Sequence, residues 1–255
     1  MAVAGIAGVY VPFRVDVVAE FLRLAPSLGV RGLSVTIPHK ETVMALLART
    51  DPSVRGAGAC NTLVWEQGGW TGYNTDIAGF LAPLQPALAA GRVRRATVVG
   101  AGGGARAVVW ALRGAGVEVL VVNRNLQRAQ HLAAEMGAAA IALSAGDLAA
   151  QVARHSDLIV QATSVGMHAG AADAARGAAH DPIAAVPLAG HETVYDIVYT
   201  PPNTPLIQRA REAGCQVVTG GEMLLGQAYE QFRLFTGIEY PASERGHMSA
   251  ALGAG

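Results

Sequence analysis

A lysine, an asparagine and an aspartate stand beside the ends of three successive short segments. Lys40 ends Gly32-Leu33-Ser34-Val35-Thr36-Ile37-Pro38-His39-Lys40, Asn61 opens Asn61-Thr62, and Asp76 ends Asn74-Thr75-Asp76. Reducing a ketone takes a hydride and a proton, and a positioned lysine can give the proton to the developing alkoxide. Asp76 can hold the ammonium and accept a substrate hydroxyl. Asn61 carries both a donor and an acceptor, which suits a polyol edge, and Thr36 adds a hydroxyl from the strand that leads to Lys40. Each residue also has an ordinary structural reading. Lys40 could open a surface helix, Asn61 could cap a turn, and Asp76 could sit in a first helical turn, where the dipole favours it. His39 receives no catalytic role, since a loop histidine is usually solvated.

A hydride donor has its own signature downstream. Val98-Val99-Gly100-Ala101-Gly102-Gly103-Gly104-Ala105-Arg106-Ala107 reads as a strand, a glycine loop and a helix start. Gly100, Gly102, Gly103, Gly104 and Ala105 are small enough for backbone to approach a pyrophosphate, and the helix end supplies N–H donors and positive dipole. Glycine runs also collect in plain turns, so context carries the reading. A second strand ends at Val122, where the ribose-reading residue belongs. There the chain has Asn123-Arg124 rather than an acid. A guanidinium offers forked donors to a 2′-phosphate, which favours NADP over NAD. The competing reading makes Arg124 a solvated residue opening the next helix.

The elements that must position these groups alternate between short apolar runs and helical patterns, which predicts an α/β architecture with parallel sheets. An amphipathic helix is expected over Val15–Leu28, a strand over Gly32–Ile37 closed by Pro38, and a helix over Glu41–Ala48. A hairpin is expected from Ala59–Trp65 and Trp70–Tyr73 around Gln67-Gly68-Gly69. A helix broken at Pro83 and Pro86 spans Thr75–Ala90. A second unit begins near Arg95, with strands at Ala96–Val99, Val117–Val122, Leu158–Gln161, Thr193–Ile197 and Cys215–Val218. Its helices fall at Gly103–Gly114, Leu126–Met136, Thr204–Ala213 and Glu222–Phe235. His168–His180 is an Ala/Gly tract expected to be a mobile loop. The tail after Tyr240 is expected to be disordered.

Composition narrows the setting. Nineteen basic residues balance nineteen acidic ones, so no electrostatic case exists for nucleic acid or an anionic membrane. No apolar run nears the roughly 20 residues needed to span a bilayer. Cys60 and Cys215 lack metal-like spacing, so no metal is expected, and free thiols fit a reducing cytoplasm better than a disulfide.

Taken together, Val-Thr-x-Pro-His-Lys, Asn-Thr, Asn-Thr-Asp and the glycine loop resemble the shikimate dehydrogenase family, over about Tyr10 to Gly237. The resemblance implies a two-domain α/β fold: a substrate domain of residues 1–77 plus 221–240, and a Rossmann-like NADP domain of residues 78–220. It implies NADP-dependent, reversible reduction of 3-dehydroshikimate to shikimate, with Lys40 and Asp76 catalytic and Thr36 and Asn61 on the substrate. The loop Thr163-Ser164-Val165-Gly166-Met167 resembles the family's loop beside the nicotinamide. Asp196-Ile197-Val198-Tyr199-Thr200-Pro201 resembles its next strand end, with the Tyr199 hydroxyl approaching the substrate. Gly220-Gly221-Glu222-Met223-Leu224-Leu225-Gly226-Gln227-Ala228 resembles the final helix, with Gln227 on the substrate and Gly221 on the cofactor. Met223 and Leu224 read better as core. The working unit is a monomer or homodimer.

The family's opening strand, with its Ser-x-Ser-Pro carboxylate-binding pair, has no counterpart here. Val9-Tyr10-Val11-Pro12-Phe13 corresponds to the second strand. A late start, a fragment of a longer or fused enzyme, and a degenerate paralogue all stay open, as does a substrate lacking the carboxylate. Ser34, where Asn is more usual, also resembles dehydroquinase–shikimate dehydrogenase fusions. Tyr199 would remain as the carboxylate donor. The other functions open at this point are NAD-dependent quinate/shikimate oxidation and a non-catalytic NADP-binding module.

Overall fold

A short amphipathic helix leads into the first unit. In the computed structural model, which describes residues 5–167 and 180–246, α1 (Val18–Leu24) buries Leu22 and tightens into a 3-10 turn at Ala25–Leu28, where Pro26 interrupts the expected longer helix. The preceding Val9–Phe13, expected to be a strand, pairs with no strand among the described residues. It is exposed and is held by Phe13 against Phe21, ring centroids 5.1 Å apart.

Strand β1 (Gly32–Ser34) stops short of the predicted Ile37. Val35 still donates to the Asn61 carbonyl (2.7 Å), but the chain then turns through a cis Ile37–Pro38 bond. The helix expected over Glu41–Ala48 is a 3-10 turn at Thr42–Leu46. Val43 must go fully inside, and Ala48 is already extended to donate to the Trp70 carbonyl (2.9 Å) as β2 (Arg49–Thr50) begins. A helix not read from the sequence follows, α2 (Pro52–Ala57), capped by Asp51, whose carboxylate accepts the Ser53 N–H at 2.9 Å.

Strands β3 (Thr62–Glu66) and β4 (Gly69–Tyr73) form the expected hairpin, with Gln67 (φ 51°) and Gly68 (φ 72°) at its tip. The sheet order is β1-β3-β4-β2, with β1 and β4 antiparallel to β3 and β2 parallel to β4. The parallel expectation therefore fails for this sheet, because a two-residue turn can only join antiparallel strands. Helix α3 (Asp76–Leu81), a 3-10 turn at Ala82–Leu84 and α4 (Gln85–Ala89) carry the chain away, broken at the two prolines.

The second unit alternates β5 (Arg95–Val99), α5 (Gly103–Gly114), β6 (Glu118–Asn123), α6 (Leu126–Met136), β7 (Ala139–Ala142), α7 (Leu148–Ala153) and β8 (Leu158–Gln161). Then come β9 (Thr193–Asp196), α8 (Pro205–Glu212), β10 (Gln216–Val218) and α9 (Gly220–Thr236). All six strands are parallel, in the order β10-β9-β8-β5-β6-β7, so the chain reverses direction between β5 and β8. In open α/β sheets ligands bind above such a switch point. The predicted mobile loop lies outside the described residues except for His180. Among the described residues no helix is long and apolar enough to cross a membrane.

Helix α9 runs back to the first sheet. It crosses α3 at Gly79 and Gly226, where a Cβ on Gly79 would lie 2.5 Å from the Met223 carbonyl and one on Gly226 would lie 2.9 Å from the Gly79 Cα. Only two glycines allow backbones this close. Further along, the Phe235 ring covers Gly32 of β1. The tail expected to be disordered holds a 3-10 turn at Ala242–Glu244, and the Arg245 guanidinium lies 4.9 Å above the Tyr229 ring.

Candidate active site

The turn through cis Pro38 brings Lys40 back beside β3. His39 donates its N–H to the Thr36 carbonyl (2.9 Å), and Cys60 donates to the Lys40 carbonyl (2.7 Å). The His39 ring bonds the Val15 carbonyl (2.9 Å). Lys40 Nζ then lies 2.5 Å from Asp76 Oδ2, with the lysine side chain 20% exposed and the aspartate 8%. Asp76 opens α3, so both the helix dipole and the ammonium face it.

Asn61 holds the other carboxylate oxygen. Its Nδ2 donates to Asp76 Oδ1 (2.8 Å) and to Thr75 Oγ1 (3.0 Å). Its Oδ1 accepts from the Thr75 backbone (2.8 Å) and the Thr62 hydroxyl (2.9 Å). The cap reading and the site reading of Asn61 thus merge: the residue is buried, and its amide fixes the carboxylate. Gln227, half-buried on α9, meets this group through the Thr75 hydroxyl, 3.4 Å from its Oε1. Thr36 is exposed. Tyr199 stands apart on the exposed loop after β9 and makes no hydrogen bond to these residues.

Above the switch point the glycine loop is held from below. Gly100 has φ 126°, and a Cβ there would lie 2.7 Å from the Ala162 carbonyl at the end of β8. No L side chain fits that conformation or that gap. Gly102 is the N-cap of α5 with no side chain capping it, and the space around it is open. The first N–H groups of a 12-residue helix are therefore available to an anion. A Cβ on Gly103 would lie 3.5 Å from Lys40 Cβ, so the helix end and the lysine share a wall. Ala105 is buried. Ile197 touches the Gly104 position (3.1 Å), and its carbonyl lies 2.6 Å from where a Gly220 Cβ would sit. At the end of β6, Asn123 donates to the Asn125 carbonyl (3.0 Å), and Asn125 caps α6 by accepting the Arg128 N–H (3.1 Å). The helix-opening task falls to Asn125, and Arg124 between them is exposed.

Two buried polar side chains shape the neighbouring loops. Gln161 donates to the Thr163 and Val165 carbonyls (3.2 and 2.8 Å) and accepts the Thr163 N–H (2.6 Å), which folds Thr163–Met167 over the strand ends. Asp196 accepts from the Val198 backbone (2.9 Å) and the Thr204 hydroxyl (2.7 Å) and so sets the loop that carries Tyr199. Burial pushes its carboxyl from 3.8 up to about 6, against those two hydrogen bonds. The folded state therefore holds a proton that the unfolded chain releases between these values. The resulting stabilisation is complete below the lower value and is lost as pH rises through the upper one, an effect of roughly 2–3 kcal/mol. In urea titrations from pH 4 to pH 7, wild type is expected to lose this stability relative to Asp196→Asn. A difference that stays constant with pH would contradict the assignment.

Both cysteines are free. Cys60 is fully buried, and burial pushes its thiol up to about 11, which makes it inert. Among the described residues no cluster of His, Cys, Asp or Glu could hold a metal. Sequence reading passed over the parts played by Thr62, Thr75 and Gln231. The two threonines stood in plain view as partners in Asn-Thr and Asn-Thr-Asp. Gln231 is one helical turn beyond Gln227, on the same face.

Three family descriptions match this chain: "Shikimate dehydrogenase substrate binding domain" over residues 1–63, "Shikimate / quinate 5-dehydrogenase" over 86–179, and "Shikimate 5'-dehydrogenase C-terminal domain" over 220–244. A shikimate dehydrogenase (NADP(+)) from Oleidesulfovibrio alaskensis is 40% identical over 246 residues, covering 96% of this chain and 84% of that one. Shikimate 5-dehydrogenase from Thermus thermophilus, solved with NADP(H) and shikimate, is 34% identical with a TM-score of 0.78, over 94% of this chain and 85% of that one. Quinate dehydrogenase from Corynebacterium glutamicum, solved with NAD, is 31% identical with a TM-score of 0.79, over 91% and 82%.

Proposed function

The chain belongs to the shikimate dehydrogenase family, and from that premise we propose that it catalyses the reversible NADP-dependent reduction of 3-dehydroshikimate to shikimate. This is the reaction of the shikimate pathway toward chorismate and the aromatic amino acids. The observation that carries the reading is the Lys40–Asp76 pair at 2.5 Å, set against the uncapped helix end at Gly103. The residues fit a dinucleotide: small side chains and open space at Gly102, backbone donors from α5, and an exposed Arg124 where a 2′-phosphate would lie. When bound, the nicotinamide cofactor supplies or takes up the hydride.

The chain's own residues handle substrate and proton. Lys40 gives its Nζ proton to the carbonyl oxygen as negative charge develops there, and takes it back in the reverse direction. Asp76 orients the ammonium through Oδ2 and accepts a ring hydroxyl. Asn61 keeps that carboxylate in register, and Gln227 and Thr36 bound the substrate on either side. Tyr199 is the hydroxyl assigned to the substrate carboxylate. On this reading the first sheet with α9 is the substrate domain and the second sheet the nucleotide domain. We place the reaction in the cytoplasm, with a small-molecule substrate, no nucleic-acid or membrane partner, and a monomer or homodimer as the working unit.

The test is reduction of NADP⁺ by the purified chain with shikimate, run beside NAD with quinate. Turnover with the first pair and little with the second supports the reading, and the reverse would replace it with quinate oxidation. Arg124→Asp puts an acid against the 2′-phosphate. It is expected to raise the KM for NADP⁺ by about 10-fold or more, the worth of a charge-assisted pair, and to change that for NAD little. An unchanged cofactor preference would remove Arg124 from the site.

A further inference from the structure

We propose that Gln231 is a positioning residue for this reaction, the outer support of a hydrogen-bond relay whose donors all aim at Asp76. The proposal rests on the reading of Lys40 and Asp76 as the catalytic pair. Ser34 Oγ donates to Gln231 Oε1 (2.8 Å), and the carboxamide donates its Nε2 to Thr62 Oγ1 (2.9 Å). Thr62, having accepted a proton there, directs its own to Asn61 Oδ1 (2.9 Å). Asn61, whose Oδ1 also accepts the Thr75 backbone N–H, faces Asp76 Oδ1 with Nδ2 (2.8 Å). Reversing any member would bring two acceptors together at the next.

The Thr75 backbone N–H and the Asp76 carboxylate set the sense of Asn61, and Gln231 holds Thr62 to that sense by donating to its hydroxyl oxygen. The Thr62 hydroxyl has an alternative acceptor in Thr75 Oγ1 (3.2 Å), and the Gln231 N–H on its oxygen favours the arrangement in which its proton goes to Asn61. The Thr75 backbone N–H also supports Asn61 Oδ1, so loss of Gln231 weakens the alignment rather than destroying it. The side chain is 7% exposed on a helix from the far end of the chain, an expensive place for a carboxamide that only filled space.

Two variants test this. Gln231→Met keeps the volume and removes every hydrogen bond. Its kcat is expected to fall by about five- to tenfold, what one hydrogen bond is worth, with NADP⁺ affinity unchanged and the protein folded at the assay temperature. Gln231→Glu adds a signature that packing alone does not produce. Ionised, it is acceptor-only and pulls the Thr62 proton away from Asn61. Protonated, it has one donor and one acceptor, as the amide does. The ratio of its kcat to that of wild type, corrected for the folded fraction, is therefore expected to climb toward one as pH falls. A flat ratio, or full kcat in Gln231→Met, would overturn the relay. If Gln231→Met does not fold, the pH course of Gln231→Glu decides alone. Lys40→Ala is run in parallel. Full loss there beside an unaffected Gln231→Met removes the relay only, while retained turnover in Lys40→Ala removes the catalytic pair and the relay with it.

Discussion

Lys40→Ala is expected to lower turnover by about 10²–10⁴-fold, the range of a general acid–base contribution, while NADP⁺ binding holds near its wild-type value. The lysine lies along the nucleotide loop with its carbon stem against the Gly103 position, and its ammonium donates to Asp76, so removing it opens space at the loop. Asp76 loses its partner at Oδ2 and keeps Asn61 at Oδ1, so the carboxylate stays seated. Steady-state kinetics in both directions, with cofactor binding measured by fluorescence, separate the two effects. Equal loss of turnover and cofactor affinity would mean that the site is not divided in this way.

Asp76→Ala carries the second large effect, and it falls on two observables. Turnover is expected to drop by about 10²-fold or more, since Lys40 loses its orienting contact and the substrate loses an acceptor. Stability is expected to fall by about 1–3 kcal/mol. The pair lies between a surface bridge, worth under about 1 kcal/mol, and a buried one, which costs about 3–5 kcal/mol to break. Asn61 contributes to that loss, because its buried Nδ2 then lacks its 2.8 Å acceptor. The double variant with Lys40→Ala gives the check: in urea unfolding the two single losses should sum to more than the double loss. Strict additivity would show that the 2.5 Å contact contributes nothing in solution.

The sequence carried the second unit almost whole, because its strands are unbroken apolar runs rich in β-branched residues, such as Thr97-Val98-Val99 and Val119-Leu120-Val121-Val122, flanked by helices with glycine at their ends. Strand β7 escaped because Ala139-Ala140-Ile141-Ala142 has almost no β-forming side chain, and tertiary pairing with β6 alone makes it a strand. In the first unit the residues proposed for the chemistry were visible by type and order. Their local backbone was not, since a cis proline and a 3-10 turn replace the regular strand and helix that periodicity suggests around Lys40. The network behind Asp76 was invisible for a different reason. Gln231 and Ser34 are adjacent only because two glycines let α9 lie on α3, and no local pattern announces a contact 197 residues apart.

That close crossing also fixes an order of assembly. Every strand of the parallel sheet lies before α9 in the chain, so its strands can pair before that helix is made, and Met223 of α9 then joins their core. The first sheet cannot finish. Until α9 arrives, the Gly79 face of α3 has no backbone to cover it, and Thr62 lacks the amide that orients its proton. Domains usually mature from the N-terminus during synthesis. Here the sheet that carries Lys40 is completed by a helix that follows every strand of the other sheet.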